Sequence, residues 1–278
     1  MIRLAVRCDP ARAEEVLAEL TVLAPGGVEE RSGSGWVEYA IYGAPGEIPD
    51  IGELEAAAGD GFVSVSSSVV ADDWADRWRE YHRPVLAGDR VWLRPPWEEP
   101  RQGALDVVID PGRAFGTGAH PTTRLCIELM LRVPESERPG QELLDLGTGS
   151  GVLAIAARRL GWERVRACDN DSASLEAAAA NAAANEVEIE LDRCDLRAGL
   201  PRLAPLVVAN LTAPLLRIVA AGLSDRDAPD TLICSGLLAT EADDVAAAFG
   251  TTGLAEADRR VIGDWAGLFL SRGVRPRG

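Results

Sequence analysis

The chain of 278 residues contains no lysine, because all 28 of its Lys and Arg positions are arginine. This absence excludes a Schiff-base lysine, a lysine general base and a Walker-type Gly-Lys-Ser/Thr phosphate loop. Histidine is almost as scarce, since only His82 and His120 are present. The five cysteines contain no Cys-x-x-Cys pair. We therefore expect reduced, mostly buried cysteines and no metal site.

The sequence also lacks a long apolar segment. Its longest uncharged stretch, residues 203–216, is too short to cross a bilayer and contains Asn210 and two prolines. No apolar core of signal-peptide length follows Met1. These absences predict a cytoplasmic protein with no membrane partner.

Acidic side chains outnumber basic ones by 44 to 28, which gives a formal net charge of −16. Nucleic-acid affinity comes largely from Lys and Arg side chains that neutralise phosphates, so we expect no direct nucleic-acid partner. The charge is compatible with the approach of a basic protein. Solubility alone explains it equally well.

Residues 1–70 are predicted to form a small α+β domain. The pattern indicates the order strand, helix, strand, strand, helix, strand, which is typical of a ferredoxin-like fold. Such folds carry many functions, so this domain alone indicates no reaction. The predicted segments are strand 3–8, helix 11–23, a hairpin within 28–42, helix 51–58 and strand 62–70.

Residues 71–100 are predicted to connect this domain to the rest of the chain. A charged, aromatic helix is expected over 72–82. Four prolines interrupt the sequence that follows and leave a short strand at 90–94.

Residues 101–278 alternate apolar strands with alanine-rich helices. This alternation predicts an α/β domain with a mostly parallel sheet and helices on both faces, in which ligands bind beyond the carboxyl ends of the strands. The predicted strands are 143–146, 165–168, 189–191, 206–209 and 232–234, and the predicted helices are 152–160, 172–185, 214–222 and 241–249.

A glycine-rich turn follows the first of these strands and leads into a helix. It contains Gly147, Gly149 and Gly151, which allow a tight turn and a close approach of a ligand to the backbone. Asp169 ends the next strand, where a carboxylate can accept both hydroxyls of a ribose. The combination predicts a nucleoside-binding site.

Two cofactor classes share this arrangement. A dinucleotide site requires Gly-x-Gly-x-x-Gly, but here the third glycine comes one residue early and Val152 stands in its place. The turn has no basic residue to meet a phosphate, and Asp145 at its start would repel one. The ammonium and sulfonium of S-adenosylmethionine suit an acidic neighbour, so this cofactor is favoured over a nicotinamide dinucleotide.

Two further strand ends carry candidate site residues. Asp195 could accept a hydrogen bond from an adenine amino group, although a solvated loop acid is equally compatible with its position. Asn210 ends an apolar strand, and its carbonyl could accept from an amine and direct the nitrogen lone pair at a methyl group. The alternative is that Asn210 caps the helix that begins at Pro214.

A segment before the first glycine turn has the sequence of a second loop. Gly116 and Gly118 bracket a hydroxyl, and Thr122 and Thr123 begin a helix that extends to residue 131. Free N–H groups at a helix start can hold a carboxylate. His120 is a candidate general base, but a structural role is the more common one for such a residue.

These motifs together resemble a known family. Phe115-Gly-Thr-Gly-x-His120-Pro-Thr-Thr123, Asp145-x-Gly-x-Gly-Ser-Gly151 and Val207-Val-Ala-Asn210 are similar to the ribosomal methyltransferase family PrmA, which modifies large-subunit protein eleven. The connector and residues 235–238 extend the resemblance to about 72–240. Residues 1–70 match only in size and expected topology.

The resemblance implies a Rossmann-like class I methyltransferase domain behind an N-terminal substrate-recognition domain. It implies that Thr123, Gly147, Asp169 and Asn210 contact S-adenosylmethionine and that residues 115–117 close over it. Asn210, which could direct the amine, is the predicted catalytic residue, and no metal is expected. The cofactor-binding residues expected for S-adenosylmethionine are Phe115, Gly116, Thr117, Thr123, Gly147, Gly149, Asp169, Asp195 and Asn210.

The predicted function is therefore S-adenosylmethionine-dependent N-methylation of lysine and N-terminal amines of large-subunit ribosomal protein eleven by a monomer. Methylation of another protein is one alternative. A nicotinamide-dependent oxidoreductase and a non-catalytic binding module are alternatives from other classes, and a cofactor-binding screen would separate them.

Overall fold

A computed structural model describes residues 2–13, 16, 29–33, 35–43, 62–69, 83–110, 118–138, 140–224 and 228–272. The chain divides into two compact units, Met1–Tyr81 and His82–Gly278. This boundary divides the predicted connector, because the described residues from Arg83 onward belong to the second unit. The helix expected at 72–82 lies outside the described residues.

The first unit contains a four-stranded antiparallel sheet of order β2-β3-β1-β4. In this order β3 lies between β1 and β2, and β1 lies between β3 and β4. This is the split βαβ arrangement of ferredoxin-like folds. Apart from a short 3-10 turn at Pro10–Arg12, the predicted helices 11–23 and 51–58 lie almost wholly outside the described residues. The strands are β1 Ile2–Cys8, β2 Glu29–Gly33, β3 Trp36–Gly43 and β4 Phe62–Val69.

The second unit begins with a small sheet. Strands β5 (Val85–Ala87) and β6 (Val91–Arg94) form a hairpin, and β7 (Leu105–Val108) pairs with β6 in parallel. Gly88 and Asp89 both have positive φ at the hairpin turn, as tight hairpins favour. The strand predicted at 90–94 is therefore confirmed as β6.

The main sheet of the second unit has seven strands in the order β10-β9-β8-β11-β12-β14-β13. The first five are parallel, whereas β14 runs antiparallel to both of its neighbours. All five predicted strands are confirmed, and the final hairpin was not predicted. The strands are β8 Glu142–Leu146, β9 Arg164–Asp169, β10 Glu190–Arg193, β11 Leu206–Asn210, β12 Thr231–Leu238, β13 Leu254–Ile262 and β14 Trp265–Arg272.

Helices cover both faces of this sheet, as predicted. Buried side chains of the first three helices pack with β6 and β7 in one apolar cluster, and those of the last two form a second cluster. Burial of these apolar stripes against the sheet provides the main driving force for the fold. The helices are α1 Pro121–Met130, α2 Val152–Arg159, α3 Ser172–Ala184, α4 Ala213–Gly222 and α5 Ala242–Gly250.

The strand order reverses beside β8. The chain proceeds from β8 to β9 and β10 on one side, and then returns to β11 and β12 on the other. In open parallel sheets, such a reversal leaves a crevice at the carboxyl ends of the strands where ligands bind. The fold thus brings the ends of β8 and β11 together at its expected ligand site.

Asp145 is a buried residue that supports the turn after β8. The residue is 1% exposed, and its Oδ2 atom accepts a hydrogen bond of 2.7 Å from the Thr148 hydroxyl. Its Oδ1 atom accepts no hydrogen bond of normal geometry from the described residues. Burial raises the pKa of Asp145 to about 7; the Thr148 hydroxyl and the Ala154 amide oppose this rise, and the charge of Asp169 adds to it.

We predict that Asp145→Asn changes how stability depends on pH. The folded-state pKa of Asp145 lies above its ordinary value of 3.8, so the folded protein binds this proton more tightly than the unfolded chain does. The stability that the bound proton contributes is lost as pH rises through about 7. The unfolding free energy of the variant should therefore rise relative to the parent protein between pH 5 and pH 8. Urea unfolding at both pH values measures this difference.

Asp244→Asn serves as the control, because Asp244 is exposed in the first turn of α5. Its difference from the parent protein should be the same at both pH values. A difference for Asp145→Asn that also stays constant would contradict the prediction.

Candidate functional site

A cavity of about 460 Å³ opens at the carboxyl ends of β8, β9, β10 and β11. Its volume lies in the range of small-molecule sites, which is roughly 300–1,000 Å³. The structure brings together on its wall five of the residues predicted from the sequence, namely Gly147, Gly149, Asp169, Asp195 and Asn210.

The glycine turn forms one wall of the cavity. Gly147, Gly149 and Gly151 have φ values of 71°, 53° and 82°, which L side chains rarely adopt. The carbonyl of Cys168 at the end of β9 accepts hydrogen bonds from the amides of Gly147 (2.8 Å) and Thr148 (3.0 Å). These backbone hydrogen bonds hold the turn against the neighbouring strand, in addition to the hydrogen bond of the Thr148 hydroxyl to Asp145.

Asp169 has a second role that the sequence did not indicate. Its Oδ2 atom accepts a hydrogen bond of 2.9 Å from the Gly149 amide, and Oδ1 accepts one of 3.1 Å from the Asp171 amide. A carboxylate has about four acceptor positions, so both oxygens can still accept from a ligand hydroxyl. Asp169 thus braces the turn while it faces the cavity.

Two asparagines, one in α3 and one at its C-terminal cap, were missed in the sequence. Asn181 donates to the Ser150 carbonyl (2.8 Å) and accepts from the Asp110 amide (3.0 Å). Asn185 bonds both backbone groups of Val108, at 2.8 and 2.6 Å. These side chains tie the end of β7 to the glycine turn. The sequence feature that could have indicated them is a pair of asparagines four residues apart in an alanine-rich segment.

The ends of β9 and β10 are joined by a disulfide between Cys168 and Cys194. The prediction that the cysteines are reduced is wrong for this pair. Asp192 is opposite Cys168 in the parallel register, so Cys194, two residues further on, lies on the same face with a Cα–Cα distance of 5.8 Å. The remaining cysteines are free and buried, namely Cys8, Cys126 and Cys234.

Asp195 follows the disulfide directly and lines the cavity. Its Oδ1 atom accepts a hydrogen bond of 2.9 Å from the Arg197 amide. Arg197 is the cationic side chain of the described cavity wall, whereas the glycine turn itself has none. The wall therefore offers more acceptors for hydroxyl and amino groups than partners for a phosphate.

Asn210 lies at the end of β11, across β8 from Asp169. Its Nδ2 atom donates a long hydrogen bond of 3.5 Å to the hydroxyl of Thr123, and its carbonyl oxygen accepts none from the part of the chain that the structure describes. Thr123 is fully buried and lies behind Asn210, outside the cavity wall. The alternative role as a helix cap is not observed, because Thr212 occupies the cap position of α4.

The segment after Asn210 packs against a glycine of β12. Gly236 has a φ of 86°, and a Cβ atom there would lie 2.5 Å from the carbonyl oxygen of Leu211. Only glycine allows this approach without a shift of the backbone. Gly236 therefore fixes the path of the chain beside Asn210.

His120 has a structural role in the structure. Its Nδ1 atom caps α1, accepting from the Thr122 amide at 3.3 Å and lying 2.8 Å from the Thr122 hydroxyl. Burial lowers the pKa of His120, and its ring packs edge-on against Trp265 with centroids 4.8 Å apart. With Nδ1 used by the cap, this geometry favours helix capping over general-base catalysis. Trp265 belongs to the hairpin that the sequence did not reveal.

Other predicted features are not all visible. Phe115, Gly116 and Thr117 lie outside the described residues, which resume at Gly118. Within the described ranges, no group of three or more His, Cys, Asp or Glu side chains could hold a metal ion. No helix in that part of the chain is long and apolar enough to cross a membrane.

The wall combines polar and apolar surfaces suited to a nucleoside. Carboxylates at positions 169 and 195 provide hydrogen-bond acceptors. Apolar side chains provide a surface for a flat base. The apolar lining consists of Val152, Leu153, Leu196, Leu211 and Leu215. This combination of hydrogen-bond acceptors and apolar side chains fits S-adenosylmethionine.

Comparison with known proteins identifies the family. The family model for ribosomal protein L11 methyltransferase (PrmA) matches residues 48–272. The ribosomal protein L11 methyltransferase of Heliobacterium modesticaldum is 40% identical over 213 residues, covering 74% of this chain and 66% of the relative. That of Symbiobacterium thermophilum is 34% identical over 272 residues, covering 91% and 85%.

A solved structure gives the same result. The crystal structure of ribosomal protein L11 methylase from Lactobacillus delbrueckii subsp. bulgaricus matches with a TM-score of 0.61 and 30% identity, over 69% of this chain and 99% of that chain. The prediction of a Rossmann-like class I methyltransferase fold is confirmed. The chain belongs to the ribosomal protein L11 methyltransferase (PrmA) family, and it is a methyltransferase that takes its methyl group from S-adenosylmethionine.

Proposed function

We propose that the enzyme methylates lysine and N-terminal amines of ribosomal protein L11. The names of its relatives support this substrate. The observation that carries the proposal is the position of Asn210, which lines the nucleoside cavity and whose carbonyl oxygen accepts no hydrogen bond from the described residues. Such a site orients an amine and needs no activated nucleophile of the enzyme.

The two units have separate roles in this proposal. Residues 1–70 recognise the substrate protein, and residues 101–278, together with the part of the predicted 71–100 connector that belongs to the second unit, bind the cofactor and carry out the reaction. The enzyme acts as a monomer in the cytoplasm and has no direct contact with nucleic acid or membrane. The net charge of −16 supports a basic protein partner over an RNA partner.

Different residues of the cavity bind different parts of the cofactor. Asp169 accepts the ribose hydroxyls, Asp195 accepts from the adenine amino group, and the apolar wall packs against the base. Gly147 and Gly149 let the methionine part approach the backbone, and Thr123 supports that end from behind Asn210. Phe115, Gly116 and Thr117 are further cofactor contacts in this proposal. The bound cofactor supplies an electrophilic methyl group on a sulfonium.

Asn210 positions the substrate amine for in-line displacement. The amine must first lose a proton, which for a free lysine pKa of about 10.4 costs roughly 4–5 kcal/mol at neutral pH. The Asn210 carbonyl then accepts an N–H of the neutral amine and directs the lone pair at the methyl group. Water accepts the released proton, and proximity and orientation supply most of the acceleration.

Intact-mass spectrometry tests the substrate. Ribosomal protein L11 incubated with the enzyme and S-adenosylmethionine should gain a series of methyl groups, and fragmentation should place them on lysine and N-terminal amines. Incubation without the enzyme is the control. Cofactor binding by calorimetry without any methyl addition would reject this substrate and favour another protein.

We predict that Asp169→Asn weakens cofactor binding and keeps the fold. The variant loses a charged acceptor for the ribose, which corresponds to about a 10- to 100-fold rise in Kd. Calorimetry measures Kd, and circular dichroism checks the fold. Asp192→Asn is the matched control, because Asp192 lies on β10 outside the cavity. Equal affinity in both variants would remove the ribose assignment.

We predict that Asn210→Ala lowers kcat by about 10- to 100-fold, since it removes orientation of the amine, while the cofactor Kd changes by less than about threefold. Single-turnover methylation and calorimetry separate the two quantities. Thr123→Val, which removes only the hydroxyl behind Asn210, should give a smaller loss of kcat. Equal losses of affinity and turnover in Asn210→Ala would make Asn210 a cofactor contact only.

A further inference from the structure

The disulfide between Cys168 and Cys194 borders the cofactor cavity, because Cys194 is one of the residues that line it. Each cysteine directly precedes one of the two carboxylates assigned to the nucleoside, Asp169 and Asp195. The bond therefore links the ends of β9 and β10 at the point where both strands enter the site. No step of the methyl transfer uses it.

The two sulfurs differ in their surroundings. Cys168 is 1% exposed and belongs to an apolar core cluster. Cys194 is only partly buried and forms part of the cavity wall. A reductant that enters the cavity can therefore reach Cys194, whereas Cys168 is shielded by the core.

Both cysteines also contribute backbone groups that hold the site. The Cys168 carbonyl accepts the amides of Gly147 and Thr148, and the Cys194 amide donates a hydrogen bond of 2.9 Å to the Asp169 carbonyl. A change in the link between the sulfurs thus acts on the strand ends that shape the cavity. Cys168 cannot move without disturbing the glycine turn.

We propose that Cys168 and Cys194 form a reversible thiol–disulfide site that sets the affinity of the cavity for S-adenosylmethionine, with tighter binding in the oxidised form. The proposal rests on the assignment of this cavity to the cofactor. The disulfide preorganises the wall by holding Cys194, and with it Asp195, against the end of β9. Preorganisation of this kind raises affinity.

Reduction proceeds by exchange with a dithiol. One thiolate of the dithiol attacks Sγ of Cys194, the S–S bond breaks, and Cys168 leaves as a thiolate that takes up a proton. The second thiolate of the dithiol then releases Cys194 as a thiol and closes its own disulfide. Two electrons and two protons pass from the dithiol to the protein, and a small disulfide reverses the reaction.

The reduced form has a less favourable cavity. Two unbonded sulfurs separate to van der Waals distance, which for heavy atoms is about 3.5–4 Å. Because Cys168 is fixed in the core, Cys194 takes up this movement on the cavity wall and shifts Asp195. We expect the Kd for S-adenosylmethionine to rise about five- to tenfold on reduction.

The experiment uses the full chain in two states. One sample is kept oxidised, and the other is treated with dithiothreitol and freed of reductant under anaerobic conditions. Alkylation followed by mass spectrometry should count the three free cysteines in the oxidised protein and two more after reduction. Calorimetry with S-adenosylmethionine should give the higher Kd in the reduced sample, and oxidised glutathione should restore the lower value.

Variants distinguish the pair from general effects of reductant. Cys194→Ser and Cys168→Ala should each give a Kd that no longer responds to dithiothreitol. Cys8→Ala is the matched control, because this buried cysteine of the first unit is free, and it should keep the full response. Two variants at different positions guard against the loss of folding in one of them.

Three results would overturn the proposal. An unchanged count of alkylated cysteines after reduction would show that no disulfide forms. Equal Kd values in the two states, or tighter binding in the reduced one, would reject control of affinity while the cofactor site stands. No binding in either state would reject the site assignment and this proposal together.

Discussion

The hydrogen bonds between the glycine turn and the end of β9 are the interactions on which the site depends. The turn contains three glycines with positive φ and gains little stability from its own conformation. The Cys168 carbonyl and the Asp169 carboxylate together accept three of its amides. The turn is thus shaped by a neighbouring parallel strand, and the cavity depends on the pairing of β8 with β9.

The opposite wall is built by different elements. Asn210 is positioned from behind by Thr123 of α1 and from the side by the close packing of Leu211 on Gly236 of β12. The wall proposed to bind the nucleoside and the wall proposed to orient the amine therefore have separate supports on the two sides of β8. In this proposal, the affinity for the cofactor depends on one wall of the cavity and the rate of methyl transfer depends on the other.

Local sequence patterns predicted the features that local chemistry determines. Apolar runs identified the five parallel strands, and strand-end polar residues such as Asp169 and Asn210 lie together because parallel strands end at one edge. The disulfide was not predictable, since it depends on the register of β9 against β10. The final hairpin was missed because β13 is an edge strand whose charged side chains, such as Glu256 and Arg259, obscure its alternation.

In the proposed mechanism, an amide at the end of β11 suits the charge state that the reaction requires. A carboxylate there would attract the substrate ammonium and stabilise it, so the cost of reaching the neutral amine would increase. In the proposed complex the Asn210 carbonyl accepts the same N–H with no net charge, and it adds little preference for the protonated form. The carboxylates lie instead at the ends of β9 and β10, where their partners in the proposed complex are neutral hydroxyl and amino groups. The division of charge across the cavity thus favours binding of the cofactor without opposing deprotonation of the amine.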